Sequence, residues 1–261
     1  MSERKKVGLA LASGGGRGMA HIGVLQVLTE HGIPIDLISG CSAGALVAAI
    51  YAAGTDLYML EKYLCTLVPK DIIDPTVVTR GGLISGNKVS EIVRTLTHDL
   101  SVNETKIPCF IGAADLESSE FHIFKHGKLY EAARASMAIP GVFTPVKIDG
   151  HWYIDGGTLQ ELPVEVLREH GADIVIGVDL SIKKRFVVEE DKIPSAHSSL
   201  LRAFNMMQKE ITRIRQDQVD VRIKPDVSFM GMISTAGTEE AIRIGRECAE
   251  RAMPQIEALL G

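Results

Sequence analysis

Gly40-Cys41-Ser42-Ala43-Gly44 is the segment of this chain best suited to do chemistry. An apolar run, Ile35 to Ser39, leads into it, and an alanine-rich stretch, Ala43 to Ala53, leads out. A serine on a sharp strand-to-helix turn exposes its hydroxyl, and the flanking glycines keep side chains from clashing there. The first turn of the following helix offers free N–H groups and a positive dipole end to a developing oxyanion. The pattern predicts a nucleophile at Ser42, supported by Gly40 and Gly44. Its weight comes from the strand before it and the helix after it.

A second segment lies upstream. Val7 to Leu11 reads as a short buried strand, Ser13-Gly14-Gly15-Gly16-Arg17-Gly18 follows, and a helix is predicted from about Ala20 to His31. Strand, glycine loop and helix form a nest of backbone N–H groups that binds anionic oxygen, either a nucleotide phosphate or an acyl-transfer oxyanion. The dinucleotide fingerprint fails because Met19 stands at its third glycine, and no Lys-Ser/Thr pair completes a P-loop. Beside an elbow serine, the loop reads as an oxyanion hole built on Gly14, Gly15 and Gly16, with Gly18 in support. Arg17 has two readings: a charge that holds the loop or attracts an acidic head group, or a solvated loop cation.

The third segment is Asp155-Gly156-Gly157, closing the alternating run Trp152-Tyr153-Ile154. Asp149-Gly150 just before it marks a hairpin turn between Val146–Ile148 and Trp152–Ile154. Alone, an Asp-Gly pair signals another turn. With Ser42 in the same chain, Asp155 becomes a candidate base able to reach across a sheet toward a neighbouring strand end.

The order of these three motifs resembles the patatin-like phospholipase family. The flanking text, Met19-Ala20-His21-Ile22-Gly23-Val24-Leu25 and Ala135-Ser136-Met137-Ala138-Ile139-Pro140-Gly141-Val142-Phe143, resembles it too. The likeness runs from about Lys6 to Asp179 and is strongest to short, single-domain bacterial members. One departure is visible: Ser13 stands where the family loop opens with glycine. Its backbone N–H is still expected to donate, while its Cβ narrows the approach. The resemblance implies a Ser42–Asp155 dyad in place of a Ser-His-Asp triad. It further implies a serine esterase of phospholipase A or lysophospholipase type, acting on a lipid or long-chain acyl ester without metal or cofactor. A carboxylate is a weak base for an alcohol, so burial is expected to raise the pKa of Asp155.

Two other readings stand beside this one: a regulatory or adaptor protein on the same fold, and a triad hydrolase or acyltransferase that uses a histidine. Of the eight histidines, His170 and His197 follow Asp155, as that chain order requires. His170 closes a helical stretch from Pro163, a position favoured by the helix dipole. His21 is expected to pack or cap beside the glycine loop. No histidine or cysteine has metal-ligand spacing.

At 261 residues, 46% hydrophobic and 23% charged, the chain suits one α/β domain spanning 1–261. A net charge of −5 argues against nucleic acid as a constitutive partner. Four scattered cysteines point to a reduced, cytoplasmic setting, with transient contact at a membrane surface for a lipid substrate. Arg4-Lys5-Lys6 and the run after it mimic a signal peptide. That apolar run only reaches the lower bound of roughly 7–15 residues, and cleavage would delete the first strand. No stretch approaches the roughly 18 apolar residues of a membrane span.

Strands and helices alternate along the chain, which predicts a three-layer α/β/α fold on a largely parallel sheet, with the site at the strand C-termini. Further helices are expected at Leu57–Leu67, Lys88–Leu100, Leu129–Met137 and Thr238–Leu260, and strands at Pro108–Leu116, Phe121–Phe124, Ile174–Asp179 and Val219–Ile223. Pro69 to Asn87 reads as a long connection and Lys183 to Lys192 as a charged stretch. A helix from Ser198 to Arg215 carries Leu200, Phe204, Met207, Ile211 and Ile214 on one stripe, expected to face the core. Nothing in the pattern fixes an oligomeric state.

Overall fold

The computed structural model describes residues 4–76, 81–181, 195–214 and 218–261, apart from the side chains of residues 197 and 212. The chain enters through β1 (Val7–Leu11), turns through a short 3-10 segment (Gly15–Gly18) and forms α1 (Met19–Glu30). β2 (Leu37–Cys41) leads into α2 (Ala43–Ala53), followed by α3 (Leu57–Thr66), α4 (Pro69–Ile72) and α5 (Asn87–Leu96). A second half follows: β3 (Cys109–Asp115), β4 (Phe121–Phe124), α6 (Leu129–Ser136), β5 (Val146–Ile148), β6 (His151–Asp155), α7 (Glu165–Glu169) and β7 (Ile174–Val178). α8 (Ala196–Ile214), β8 (Val221–Ile223) and α9 (Thr238–Leu260) complete it. Among the described residues the predicted order of elements holds, with α4 added in the segment read as a connection.

The eight strands form one sheet in the order β5-β6-β3-β2-β1-β7-β8, with β4 also on β3. The five strands from β3 to β8 are mutually parallel, and β4, β5 and β6 are antiparallel additions at one side. Alternate residues of each strand point to opposite faces. Leu9, Leu11, Ile38, Ile176 and Val178 enter the main core under α1, α2, α6 and α9, while Ala10, Leu37 and Val175 enter a smaller cluster against α7. Helices therefore cover both faces, one far more thickly. α1 and α9 pack unusually close, because Gly23 lies against the Ile242 carbonyl and Gly245 against the Ala20 carbonyl, where any side chain would collide.

Three expectations need correction. α5 stops at Leu96, short of Leu100, because the Thr97 hydroxyl turns back to the Val93 carbonyl at 2.7 Å and His98 and Asp99 adopt φ of 54° and 55°. Left-handed residues end a helix. The stripe on α8 is core only in part: Leu200, Met207 and Ile214 are 71%, 58% and 74% exposed, while Phe204 and Ile211 are half-buried. The helix rests on Phe204 of that stripe and on Leu201 beside it, which pack against the cluster of Ile84, Met137, Ile139, Val142 and Phe143. Leu200-Leu201 and Met206-Met207 put apolar groups on two edges, so periodicity alone could not select the buried one. The connection from Pro69 contains α4 and a bridge between Pro75 and Ile84. Residues 183–192 and Arg215 lie outside the described residues.

Candidate active site

Strand pairing brings Ser42 and Asp155 together. β3 has two edges, and β4 occupies one of them from Ile111 to Ala114. The other edge pairs with β2 as far as Cys41 opposite Gly112, and then with β6 starting at Asp155 opposite Ala113. β2 runs parallel to β3 and β6 antiparallel, so their C-terminal ends meet head to head along that edge. Each strand's last residue abuts the other's. Asp155 therefore reaches Ser42 along one line of the sheet, rather than across from a neighbouring strand as the sequence suggested.

The elbow is tight. Ser42 has φ 54° and ψ −123°, a conformation an ordinary residue holds only when its surroundings impose it. A side chain at Gly40 would strike the Gly44 carbonyl, and one at Gly44 the Leu11 carbonyl, so both motif glycines are required by contact. The Ser42 N–H donates to Ser136 Oγ at 2.8 Å, and that hydroxyl donates to the Gly112 carbonyl at 2.6 Å. Ser136, at the end of α6, thereby ties the elbow to β3. A lone serine in a helix carries no local signal of this role.

Asp155 is 1% exposed. Its Oδ1 accepts the Gly157 N–H at 2.7 Å, and the Ser42 hydroxyl donates to the same carboxylate. Burial raises its pKa to about 7, against the opposing pull of the Ser42 and Gly157 hydrogen bonds, and nearby Glu161 adds to the rise. Gly156 backs onto the Gly112 carbonyl and Cys41 Sγ, and Gly157 faces the Asp155 carboxylate and Ser13 Oγ; neither place has room for a Cβ. Burial also pushes the Cys41 thiol well above its ordinary value, with Asp155 and Glu161 adding to the effect. A thiol held protonated is a poor nucleophile.

The glycine loop lies beside α2, with Gly18 against Ala43. Arg17 is half-buried, and it donates from Nε to the Gly14 carbonyl and from a terminal nitrogen to the Leu180 carbonyl, both at 2.9 Å. It fastens the loop and is not a solvated cation. Two backbone groups are already engaged. The Gly16 N–H donates to the Met232 carbonyl, and the Ser13 N–H, expected to be available, donates to the Glu161 carbonyl, each at 2.9 Å. Both tie the loop to its neighbours, which leaves Gly14 and Gly15 as the candidates to meet an oxyanion.

The histidines have other occupations. His21 is fully buried with Nε2 against the Ala12 carbonyl at 2.8 Å, and burial lowers its pKa to about 4, so it is neutral. His170 bonds the Val166 carbonyl and His151 pairs with Asp115. The His197 side chain lies outside the described residues. Among the described residues no cluster of three or more His, Cys, Asp or Glu could hold a metal ion.

From Ser42 an apolar cavity of ≈150 Å³ runs between α2, α3 and α5. Its walls include Leu46, Val47 and Ile50 of α2 and Phe143 from the segment after α6. Arg134 holds that segment by donating to the Thr144 carbonyl and hydroxyl at 2.9 and 3.0 Å, and to the Ser85 carbonyl. No local pattern marks a cavity here, because an apolar helix face reads alike against a side chain or a void.

The site thus has an elbow serine bonded to a buried aspartate, a glycine loop beside it and an apolar cavity leading from it. The family model of patatin-like phospholipases matches residues 9–168. The chain belongs to that family. It is 37% identical over 182 residues to an uncharacterized NTE family protein of Mycobacterium tuberculosis, covering 69% of this chain and 50% of the relative. A patatin-like phospholipase domain-containing protein of Caenorhabditis elegans is 31% identical over 182 residues, covering 67% of this chain and 13% of its own length. The chain spans half or less of these curated relatives. In fold it is similar to VipD from Legionella pneumophila, with TM-score 0.67 and 14% identity over 98% of this chain and 67% of that one. The type III effector protein ExoU is a second match, with TM-score 0.54 and 15% identity over 98% of this chain and 54% of that one.

Proposed function

We propose that this chain is a serine ester hydrolase acting on lipid-like acyl esters, with Ser42 as nucleophile and Asp155 as proton carrier. The hydrogen bond from the Ser42 hydroxyl to a buried carboxylate carries the reading. The family to which the chain belongs and the apolar cavity beside Ser42 support a lipid acyl group as the substrate.

Ser42 Oγ bonds to the acyl carbonyl carbon while its proton passes to Asp155. The carbonyl oxygen becomes an oxyanion that the Gly14 and Gly15 N–H groups and the N-terminus of α2 stabilise, each such donor worth about 10²–10³ in rate. Collapse breaks the ester C–O bond, and the leaving alkoxide takes the proton from Asp155. Water then gives a proton to Asp155 and attacks the acyl-enzyme; its collapse frees the acid and returns the proton to Ser42. A base with a pKa near 7 is well matched to neutral pH. The same reading includes a cytoplasmic setting, consistent with four free thiols, and transient contact with the lipid surfaces that hold such substrates.

The test is hydrolysis of p-nitrophenyl butyrate and decanoate, and fatty-acid release from phosphatidylcholine and lysophosphatidylcholine, by the wild-type chain and Ser42→Ala. Turnover by the wild type on any of the four and background rates for a folded variant are expected. Which lipid is cleaved faster assigns phospholipase or lysophospholipase type. Equal rates in both proteins, or none in either, would overturn the reading.

A further inference from the structure

Ser13 stands where the family loop opens with glycine, and it brings a hydroxyl to the site. β1 and β2 pair with Leu11 opposite Gly40, and two residues beyond that pair come Ser13 and Ser42. The Ser13 N–H is held by the Glu161 carbonyl at 2.9 Å, and the residue is 5% exposed. Its side-chain oxygen faces Gly157. A Cβ on that glycine would lie 2.9 Å from Ser13 Oγ, 2.9 Å from Asp155 Oδ1 and 2.5 Å from Gln208 Nε2 of α8. The two oxygens are therefore at most 5.8 Å apart, twice 2.9 Å. They do not bond each other: among the described residues the carboxylate is bonded by the Ser42 hydroxyl and the Gly157 N–H. One water with bonds of about 2.8 to 3.0 Å bridges such a gap. Buried waters settle where roughly two to four polar groups converge, and here three do.

We propose that the Ser13 hydroxyl and the Asp155 carboxylate together hold the water that hydrolyses the acyl-enzyme. This inference rests on the hydrolase reading, with Ser42 as nucleophile. Ser42 lines the apolar cavity and Ser13 and Asp155 do not, so the acyl chain and the water lie on different sides of the serine. The alkoxide departs on the Asp155 side, because that carboxylate gives it the proton, and the water takes the place it leaves. One water proton passes to Asp155 as the oxygen bonds to the acyl carbon, and the second hydrogen is donated to Ser13 Oγ. Collapse breaks the bond to Ser42 Oγ, which takes the proton back from Asp155. Acylation needs no such water, so Ser13 serves the second half of the reaction and not the first.

Stopped-flow release of p-nitrophenolate from p-nitrophenyl butyrate, with the butyrylated protein followed by mass spectrometry, separates the two half-reactions. In Ser13→Ala and Ser13→Gly, hydrolysis of the adduct is expected to slow about tenfold, the loss of one hydrogen bond to the reacting water. Hydrolysis then limits turnover, so kcat and KM fall together, kcat/KM stays within about twofold, and a burst of p-nitrophenolate precedes the steady rate. Fluorophosphonate labelling of Ser42, which consumes no water, should keep its wild-type rate. Ser13→Gly installs the family's own residue, which secures one of the two variants against misfolding. A merely structural disturbance of the loop would lower kcat/KM and the labelling rate as well. Adduct hydrolysis at the wild-type rate in both variants, or kcat/KM falling in step with it, overturns the water site and leaves the hydrolase reading standing. A wild-type protein that releases no p-nitrophenolate overturns the hydrolase reading, and the water site with it.

Discussion

Asp155→Asn should stabilise the protein above pH 7 while it removes activity. Folding takes the Asp155 carboxyl from 3.8 to about 7, chiefly through burial. Between those values the folded chain holds a proton that the unfolded chain has released. Stability from this group is therefore greatest at low pH, falls as pH rises from about 4 through 7, and is level above. A gap of about three units at about 1.4 kcal/mol each makes ~4 kcal/mol the upper bound of the cost at pH 8. Asparagine carries no charge and keeps an oxygen for the Gly157 N–H, while the Ser42 hydroxyl can turn to accept from its amide. A net gain of roughly 1–3 kcal/mol at pH 8, a rise in Tm of several degrees, is expected. From pH 8 to pH 5 the wild-type carboxyl regains its proton, and the gain should shrink by about 1.4 kcal/mol per unit below pH 7. Thermal melts of both proteins at pH 5 and 8, with hydrolysis measured alongside, provide the assay. A variant destabilised equally at both pH values would refute a buried, desolvated carboxylate at this position.

The pH profile of wild-type kcat/KM should rise through a single ionisation near pH 7, since the base must be ionised; a profile flat from pH 5 to 9 would contradict it. Ser136→Ala removes the acceptor for the Ser42 N–H and the donor to the Gly112 carbonyl, and should cost about 1–3 kcal/mol in a urea melt and lower kcat more than it changes KM. Gly44→Ala sets a methyl against the Leu11 carbonyl, so this variant should fail to fold or lose most of its stability by circular dichroism.

The three motifs were legible because each is local: a turn that needs glycines and a polar residue at a strand end announces itself in five or six positions. Their meeting was not. Asp155 faces Ser42 because β2 stops at Cys41 and leaves the upper edge of β3 open to β6, a long-range register that no segment encodes alone. The same is true of Ser136, whose hydroxyl acts between two strands. Arg17 could be read two ways until Gly14 and Leu180 supplied carbonyls for it. The far end of α5 misled because Val93, Leu96 and Leu100 continue the apolar period past the residues that break the helix. On α8 the pairs Leu200-Leu201 and Met206-Met207 blurred the expected stripe, and the body of the protein takes Phe204 with Leu201 and leaves Leu200 and Met207 exposed.

The most direct measurement is the rate at which a fluorophosphonate labels the folded protein, with the adduct located by mass spectrometry. A single adduct on Ser42 is expected, forming faster at pH 8 than at pH 5 and at least a hundredfold slower in Asp155→Asn. A reactive residue elsewhere, or an Asp155→Asn protein labelled at the wild-type rate, would contradict a Ser42 nucleophile activated by Asp155.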